Sequence, residues 1–193
     1  MATDSSAISK VEIRWFKGAQ VECVVGDIAA QPGLHAVVSS TSSDLGARGT
    51  VAGTVHRQAG QALAAECRRY APLNAGSAVI TRAYGLPNRY IIHCRGPRYT
   101  EHPDPHTLLA NCYRQALGLA HEHGVASIGF PAISTGHGGF PWKESARVAL
   151  ETIIATLPSC RSVRRVRMVL RDAGSFNIHA EVLAALSEDK SES

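Results

Sequence analysis

Short apolar segments with the character of strands alternate along this chain with longer segments that have helical spacing. Residues 11–16 and 21–25 have strand composition, and the Lys17-Gly18-Ala19-Gln20 segment between them favours a tight turn. Five later segments also have the length and composition of strands: residues 34–38, 78–81, 90–94, 126–130 and 163–170. The pattern therefore predicts seven strands, of which the first two form an antiparallel hairpin.

Four segments between the strands predict helices. Residues 51–70 carry apolar side chains at a four-residue spacing: Val55, Ala59, Leu63 and Cys67. Residues 105–123 carry them at mixed spacings of three and four, and Gly124 follows where helices often end. Residues 141–157 start with a proline, which suits a helix N-terminus, and residues 178–186 predict the last helix.

This alternation predicts an α/β fold with helices on both faces of a largely parallel sheet. A length of 193 residues, with 45% apolar and 19% charged residues, suits one globular domain, which we assign to residues 10–187. Residues 1–9 and 188–193 are rich in Ser, Asp and Glu, so we expect both termini to be flexible.

Composition also predicts the cellular compartment of the protein and which kinds of site it lacks. No apolar run approaches the roughly 18 residues of a membrane span, and the acidic start of the chain lacks the features of a secretory signal. The five cysteines are scattered without a CxxC pair, which predicts a reducing, cytoplasmic environment. The histidines show no metal-ligand spacing, so we expect no metal and no cofactor.

Arginines supply most of the net charge of +4, and several of them cluster near the C-terminus. On a strand, Arg165, Arg167 and Arg171 would share one face. No aromatic residues are interleaved with them to stack on bases, so the sequence favours a solvated surface over a nucleic-acid-binding one.

Ligands of α/β sheets bind at loops beyond the carboxyl ends of strands, and three such loops stand out here. Asp27 either accepts a hydrogen bond from a ligand amine or caps a short helix, and capping is favoured. Residues 39–53 and 130–141 each lead through small residues to a helix N-terminus, where free N–H groups favour an anion. Two such loops predict a diphosphate held between two helix N-termini.

The motifs in and around these loops resemble those of the macrodomain family, in the same order and over residues 20–186. The matching motifs are Gly26-Asp27-Ile28, Val51-x-Gly-x-Val-His56, Arg57-x-Ala-Gly60, Ile92-His93-x-x-Gly96-Pro97 and Phe130-Pro-Ala-Ile-Ser-Thr-Gly136 running on to Gly139-Phe-Pro141. The resemblance implies a three-layer α/β/α sandwich around a mixed, largely parallel sheet. It also implies binding of ADP-ribose or an ADP-ribosylated protein.

The resemblance further implies roles for individual residues. Asp27 would accept from the adenine amine beside the Ile28 backbone, and Arg171 would stack on adenine where the family often has an aromatic residue, with Phe176 as the alternative. Phe140 would lie near the distal ribose or the end of the diphosphate loop. The diphosphate would lie between two walls, Gly49, Thr50 and Val51 on one side and Ser134, Thr135, Gly136, His137 and Gly138 on the other.

Three departures from the family pattern bear on activity. Ser42 replaces the asparagine that holds the distal ribose, and Arg48 interrupts a glycine run, where it either pairs with the diphosphate or faces solvent. Ala52 occupies the position at which the best-known hydrolases of the family have an acid, and losing a general base costs on the order of 10²–10⁴ in rate.

Three functions follow from this pattern. The first is a module that binds ADP-ribose or a related nucleotide diphosphate, with hydrolysis weak or absent. The second is an ADP-ribosyl hydrolase or O-acetyl-ADP-ribose deacetylase in which Asp44 or His137 replaces the missing acid. The third is a pocket that has drifted to another ligand.

Overall fold

The computed structural model of this protein describes residues 10–188, which contain a single mixed sheet of seven strands. The predictions that residues 1–9 and 188–193 are flexible concern residues outside that range, except for Glu188, which lies in a helix. The strands are β1 (Val11–Phe16), β2 (Ala19–Val25), β3 (Ala36–Ser40), β4 (Ser77–Arg82), β5 (Tyr90–Arg95), β6 (Ser127–Phe130) and β7 (Arg165–Leu170).

Five helices connect and flank these strands. They are α1 (Thr50–Ala59), α2 (Gln61–Cys67), α3 (Pro105–Glu122), α4 (Trp142–Thr156) and α5 (Ala173–Glu188). A short 3₁₀ turn, Leu157–Ser159, follows α4. Within residues 10–188, no helix has both the length and the apolar character that crossing a membrane requires.

The order of the strands across the sheet is β1-β2-β7-β6-β3-β5-β4. The five inner strands are parallel to one another, whereas β1 and β4 pair antiparallel at the two edges. The predicted N-terminal hairpin and largely parallel sheet are therefore confirmed. The parallel strands end together along one edge, so the loops that follow β3, β5, β6 and β7 open on the same side.

Helices cover both faces of the sheet and enclose two apolar clusters. Leu109 of α3, Leu150 of α4 and Leu183 of α5 belong to the larger cluster on one face. Val55 of α1 and Leu63 of α2 belong to the smaller cluster on the other face. This is the expected α/β/α sandwich, and it explains why β3 and β6, buried on both faces, read as continuous apolar runs.

Two helices differ from the sequence prediction. The single helix predicted for residues 51–70 is divided into α1 and α2 at Gly60, whose φ of 90° and ψ of −179° no helix accommodates. The last helix begins earlier than predicted because Asp172 caps it, its carboxylate accepting from the Ser175 N–H at 2.8 Å. The same helix ends at Glu188, one residue beyond the predicted domain boundary.

Candidate functional site

A cleft of about 930 Å³ lies at the carboxyl ends of β3, β5, β6 and β7. The loops after these four strands and the N-terminus of α1 form its walls. Eleven of the residues predicted from sequence to bind ligand line it: Ser42, Arg48, Gly49, Thr50, Val51, Ser134, Thr135, Gly136, His137, Gly138 and Arg171.

One wall of the cleft is the N-terminus of α1, which has no side-chain cap. Gly49 is the N-cap residue, with φ 86° and ψ 169°, a conformation that is almost exclusive to glycine. Within the described residues, the N–H groups of Thr50, Val51 and Ala52 donate to no protein atom. Free amides and the positive end of the helix dipole therefore point toward the cleft, as anion binding requires.

The opposite wall is the loop between β6 and α4. Phe140 donates its N–H to the Ser134 carbonyl at 2.9 Å, and Gly139 donates to Gly136 at 3.0 Å, so the loop folds back on itself. Between residues 10 and 188, no acceptor is found for the N–H groups of residues 134–138. These amides form a second surface of free donors that lines the same cleft as the first, and such surfaces suit anions.

Ser134 is the residue around which this loop packs. Its φ of 67° is unusual for a residue with a side chain, and it is only 8% exposed. A Cβ atom added at Gly138 would lie 2.5 Å from the Ser134 carbonyl oxygen, and one at Gly96 would lie 2.1 Å from its Oγ. Gly96 is therefore needed for the close approach of the loop after β5, and Gly138 for the tight folding of the loop that contains Ser134.

Asp44 is fixed at the edge of the cleft by three hydrogen bonds. Its carboxylate accepts from the Ser42 hydroxyl at 2.5 Å, from the Gly46 N–H at 3.1 Å and from the Arg48 guanidinium at 3.0 Å. The bond from Ser42, followed by that from Gly46, lowers the pKa of the Asp44 carboxyl below its ordinary value. A carboxylate with a lowered pKa is a weaker base.

The other candidate catalytic positions differ in their access to the cleft. His137 is exposed on the cleft-lining loop. Ala52 is only 1% exposed and packs in the first turn of α1, so the position that carries an acid in related hydrolases holds a buried methyl group here. Asp44 lies instead in a shallow depression that adjoins the cleft and shares Ser42 and Arg48 with it.

Three predicted binding residues lie outside the cleft lining. Asp27 accepts from the Ala29 N–H at 2.9 Å and closes a turn at residues 28–29, where the sequence favoured a short helix for it to cap. Ile28 is buried within the smaller apolar cluster. Phe140 is 2% exposed, and its ring packs edge-on against those of Tyr99 and His106. Phe140 therefore packs in the interior under the loop between β6 and α4 and does not line the cleft.

The far end of the cleft follows β7 and contains Arg171 and Asp172. Arg171 is exposed there. Phe176, the alternative stacking residue, is 6% exposed and belongs to the larger apolar cluster. Asp27 is close to this end, because the preceding Gly26 donates its N–H to the Leu170 carbonyl at 2.8 Å.

Sequence reasoning missed one side of the cleft, formed by the loop after β5 and the start of α4. The missed residues include Arg95, Arg98, Glu101, His102 and Trp142. The Gly96-Pro97 pair directly after a buried strand was a usable signal, because it marks a fourth strand-end loop.

Of the arginines that the sequence predicted on a solvated surface, Arg171 is exposed, whereas Arg165 and Arg167 are partly buried in ion pairs. Arg165 and Arg167 both donate through Nε to Glu22 at 2.7 Å, and Glu22 is only 2% exposed. The three side chains form an ion-pair cluster on the sheet, because Glu22 and Arg167 are register partners on β2 and β7.

Comparison with known proteins identifies this architecture. The family model described as Macro domain matches residues 38–149, which is more than half of the chain. The chain belongs to the macrodomain family. A macro domain-containing protein of Streptomyces griseus is 42% identical over 170 residues, covering 85% of this chain and 94% of its own.

Other relatives carry functional names. O-acetyl-ADP-ribose deacetylase 1 of Pantoea vagans is 34% identical, covering 85% of this chain and 98% of its own. The Oceanobacillus iheyensis macrodomain with ADP superposes with a TM-score of 0.89 at 35% identity, over 94% of this chain and 98% of that one. The Trypanosoma brucei macrodomain in complex with ADP-ribose gives 0.77 at 30% identity, over 83% and 68%.

Proposed function

We propose that this macrodomain binds ADP-ribose, free or attached to a protein, in the cleft at the carboxyl ends of its parallel strands. The observation that carries the proposal is the pair of free-amide surfaces that line one cleft, at the α1 N-terminus and at residues 134–138. Hydrogen bonds from amides to an ionised phosphate are stronger than neutral ones, so two such surfaces suit a diphosphate.

The proposed orientation follows the shape of the cleft. The adenine lies at the end near Asp27 and Arg171, whose exposed guanidinium provides a flat stacking surface. The distal ribose lies at the other end, beside Ser42 and Arg48. Arg48 reaches this end while it pairs with Asp44, so it remains within reach of a bound anion.

We further propose that hydrolysis is weak or absent. Ala52 provides no acid or base at the start of α1, and the only carboxylate nearby on the same loop, Asp44, has a lowered pKa and is already hydrogen-bonded. The amide surfaces do not depend on these side chains, so binding is retained without catalysis.

A second candidate function is removal of ADP-ribose or of its acetyl ester, with His137 or Asp44 in place of the missing acid. The presence of His137 on the cleft-lining loop favours it, as does the likeness to a deacetylase. Histidine is the side chain that most often serves as a general acid or base in catalysis.

Isothermal titration calorimetry with ADP-ribose, ADP and AMP tests the binding proposal. A Cβ added at Gly136 meets no atom within 4 Å, so Gly136→Val fills cleft space without disturbing the loop. We expect this variant to weaken ADP-ribose binding by roughly 10- to 100-fold, since one lost charge-assisted hydrogen bond costs about 1.5–3 kcal/mol.

Gly118→Val is the matched control, because Gly118 also has open space around its Cβ position but lies on α3, outside the cleft. It should bind as the unchanged protein does. If none of the three nucleotides gives a heat of binding, the proposal is contradicted and a pocket that binds a different ligand is favoured.

Release of ADP-ribose from a modified protein, followed over time, separates the two candidate functions. We expect release close to the uncatalysed rate. Turnover that falls on the order of 10²-fold or more in His137→Ala or Asp44→Ala would establish the second candidate instead.

A further inference from the structure

The edge strand β1 exposes three apolar side chains on one face of the sheet. Val11, Ile13 and Trp15 are 47%, 40% and 67% exposed and alternate along the strand, so all three point the same way. Among the described residues, no strand pairs with the outer edge of β1 and no helix packs over this face. Unpaired strand edges of this kind readily pair with another strand.

The opposite face of β1 carries two charges of opposite sign. Glu12 and Arg14 form an ion pair along the strand, and Arg14 also donates through Nε to the Ser187 hydroxyl of α5 at 3.2 Å. The strand thus combines an apolar face and a charged face around a central residue, Ile13.

We propose that β1 pairs antiparallel with β1 of a second copy of this chain, about a two-fold axis at Ile13. In this register Glu12 lies opposite the partner subunit's Arg14, and Arg14 lies opposite the partner subunit's Glu12. On the other face Trp15 lies opposite the partner subunit's Val11, which is a favourable aromatic and β-branched pair. A two-fold pairing forms each of these contacts twice.

Charge complementarity selects this register over its neighbours. A shift of two residues in one direction places Glu12 opposite the partner subunit's Glu12, and a shift in the other places Arg14 opposite the partner subunit's Arg14. Like charges directly opposite one another destabilise a sheet. A shift of one residue sets apolar side chains against charged ones, and a parallel arrangement in equal register aligns like charges.

The contact is short, so the dimer is reversible and forms at higher protein concentration. No residue of β1 lines the cleft, so both clefts stay open in the pair.

Sedimentation velocity on the full chain, from roughly 1 to 500 μM, tests the proposal. We expect the unchanged protein to shift from monomer to dimer across this range. Glu12→Arg and Arg14→Glu should each weaken association by about tenfold or more, because each creates two like-charge pairs across the interface. An equimolar mixture of the two variants should regain dimers, because the two arginines of one chain then face the two glutamates of the other.

Reversals at Arg147 and Glu151, an exposed ion pair on α4, are the matched controls and should leave association unchanged. Circular dichroism on each variant confirms that it is folded before it is mixed. The proposal is overturned if the protein stays monomeric. This would result if residues 1–9 of its own chain, or a different protein, covered the outer edge of β1. The proposal is also overturned if neither charge reversal weakens association, or if the equimolar mixture of the two variants remains monomeric.

Discussion

Ser134 shows how a single residue shapes the cleft. The sequence predicted it as a ligand contact, and it does line the cleft, but its carbonyl also accepts from Phe140 and its hydroxyl is buried against Gly96. Gly96 is far away in the chain, so no local pattern reveals this contact. The conformation of the loop thus depends on a tertiary approach that sequence spacing does not record.

His93 is a second residue whose surroundings determine its chemistry. It is fully buried, with Nε2 2.9 Å from the Thr81 hydroxyl, while the adjacent Cys94 faces the other side of the sheet. Burial, with a smaller contribution from His56, lowers the pKa of His93 to about 3. The folded protein therefore holds this imidazole neutral across the physiological range.

This neutrality predicts a pH dependence of stability. Below the ordinary histidine pKa the unfolded chain binds a proton at residue 93 and the folded chain does not, so stability falls as the pH falls from about 6.5 toward 3. The contribution approaches about 1.4 kcal/mol per pH unit. Urea unfolding at several pH values should give a shallower slope for His93→Gln. Equal slopes for the two proteins would contradict the prediction.

At the scale of elements, Gly60 divides one predicted helix into α1 and α2. Gly60 and Gly49 adopt the same extended, positive-φ conformation, one after α1 and one before it. Apolar spacing continues through Gly60, which is why periodicity alone predicted a single helix over residues 51–70. The positive-φ conformation of Gly60 depends instead on how α1 and α2 pack on the sheet, which periodicity does not report.

Gly60→Ala should therefore lower the free energy of unfolding by about 1–3 kcal/mol, because a Cβ strains this conformation even though space around it is open. Gly118→Ala is the matched variant, since Gly118 lies within α3 and also has open space. It should raise the free energy of unfolding by up to about 1 kcal/mol. Urea denaturation measures both, and equal effects would show that backbone strain at residue 60 is not the cause.

At the scale of the whole molecule, the ion-pair cluster of Glu22, Arg165 and Arg167 joins the N-terminal hairpin to the parallel sheet. Glu22 is 143 residues from Arg165 and 145 residues from Arg167 in the chain, and they meet because β2 pairs with β7. Arg167 also donates to the Gln31 side chain at 2.8 Å. From the sequence these arginines had the pattern of a solvated strand, because the buried carboxylate between them is remote.

Glu22→Gln should reduce the free energy of unfolding by about 1–3 kcal/mol, because two guanidinium groups lose a buried, charged acceptor. Glu151→Gln removes an exposed partner of Arg147 and should change stability by about 0.5 kcal/mol or less. Urea denaturation of both variants compares the two. A loss at Glu22 no larger than that at Glu151 would show that the cluster adds little.

Residue type and spacing along the chain determined much of the fold and the location of the cleft. Alternating strand and helix patterns predicted the sheet, the hairpin and the layers, and small residues after β3 and β6 predicted the two loops whose amides are free. The amides after β3 lie at the N-terminus of α1, whereas residues 134–138 precede α4, which begins at Trp142. Tertiary structure decided which polar atoms remain available. Asp44 is held by Ser42 and Arg48, Phe140 is buried beneath its loop, and the loop after β5 completes the cleft. The burial of Phe140 and the position of the loop after β5 depend on contacts between distant segments. Ser42 and Arg48 hold Asp44 from two and four residues away, through a loop conformation that periodicity and composition do not encode.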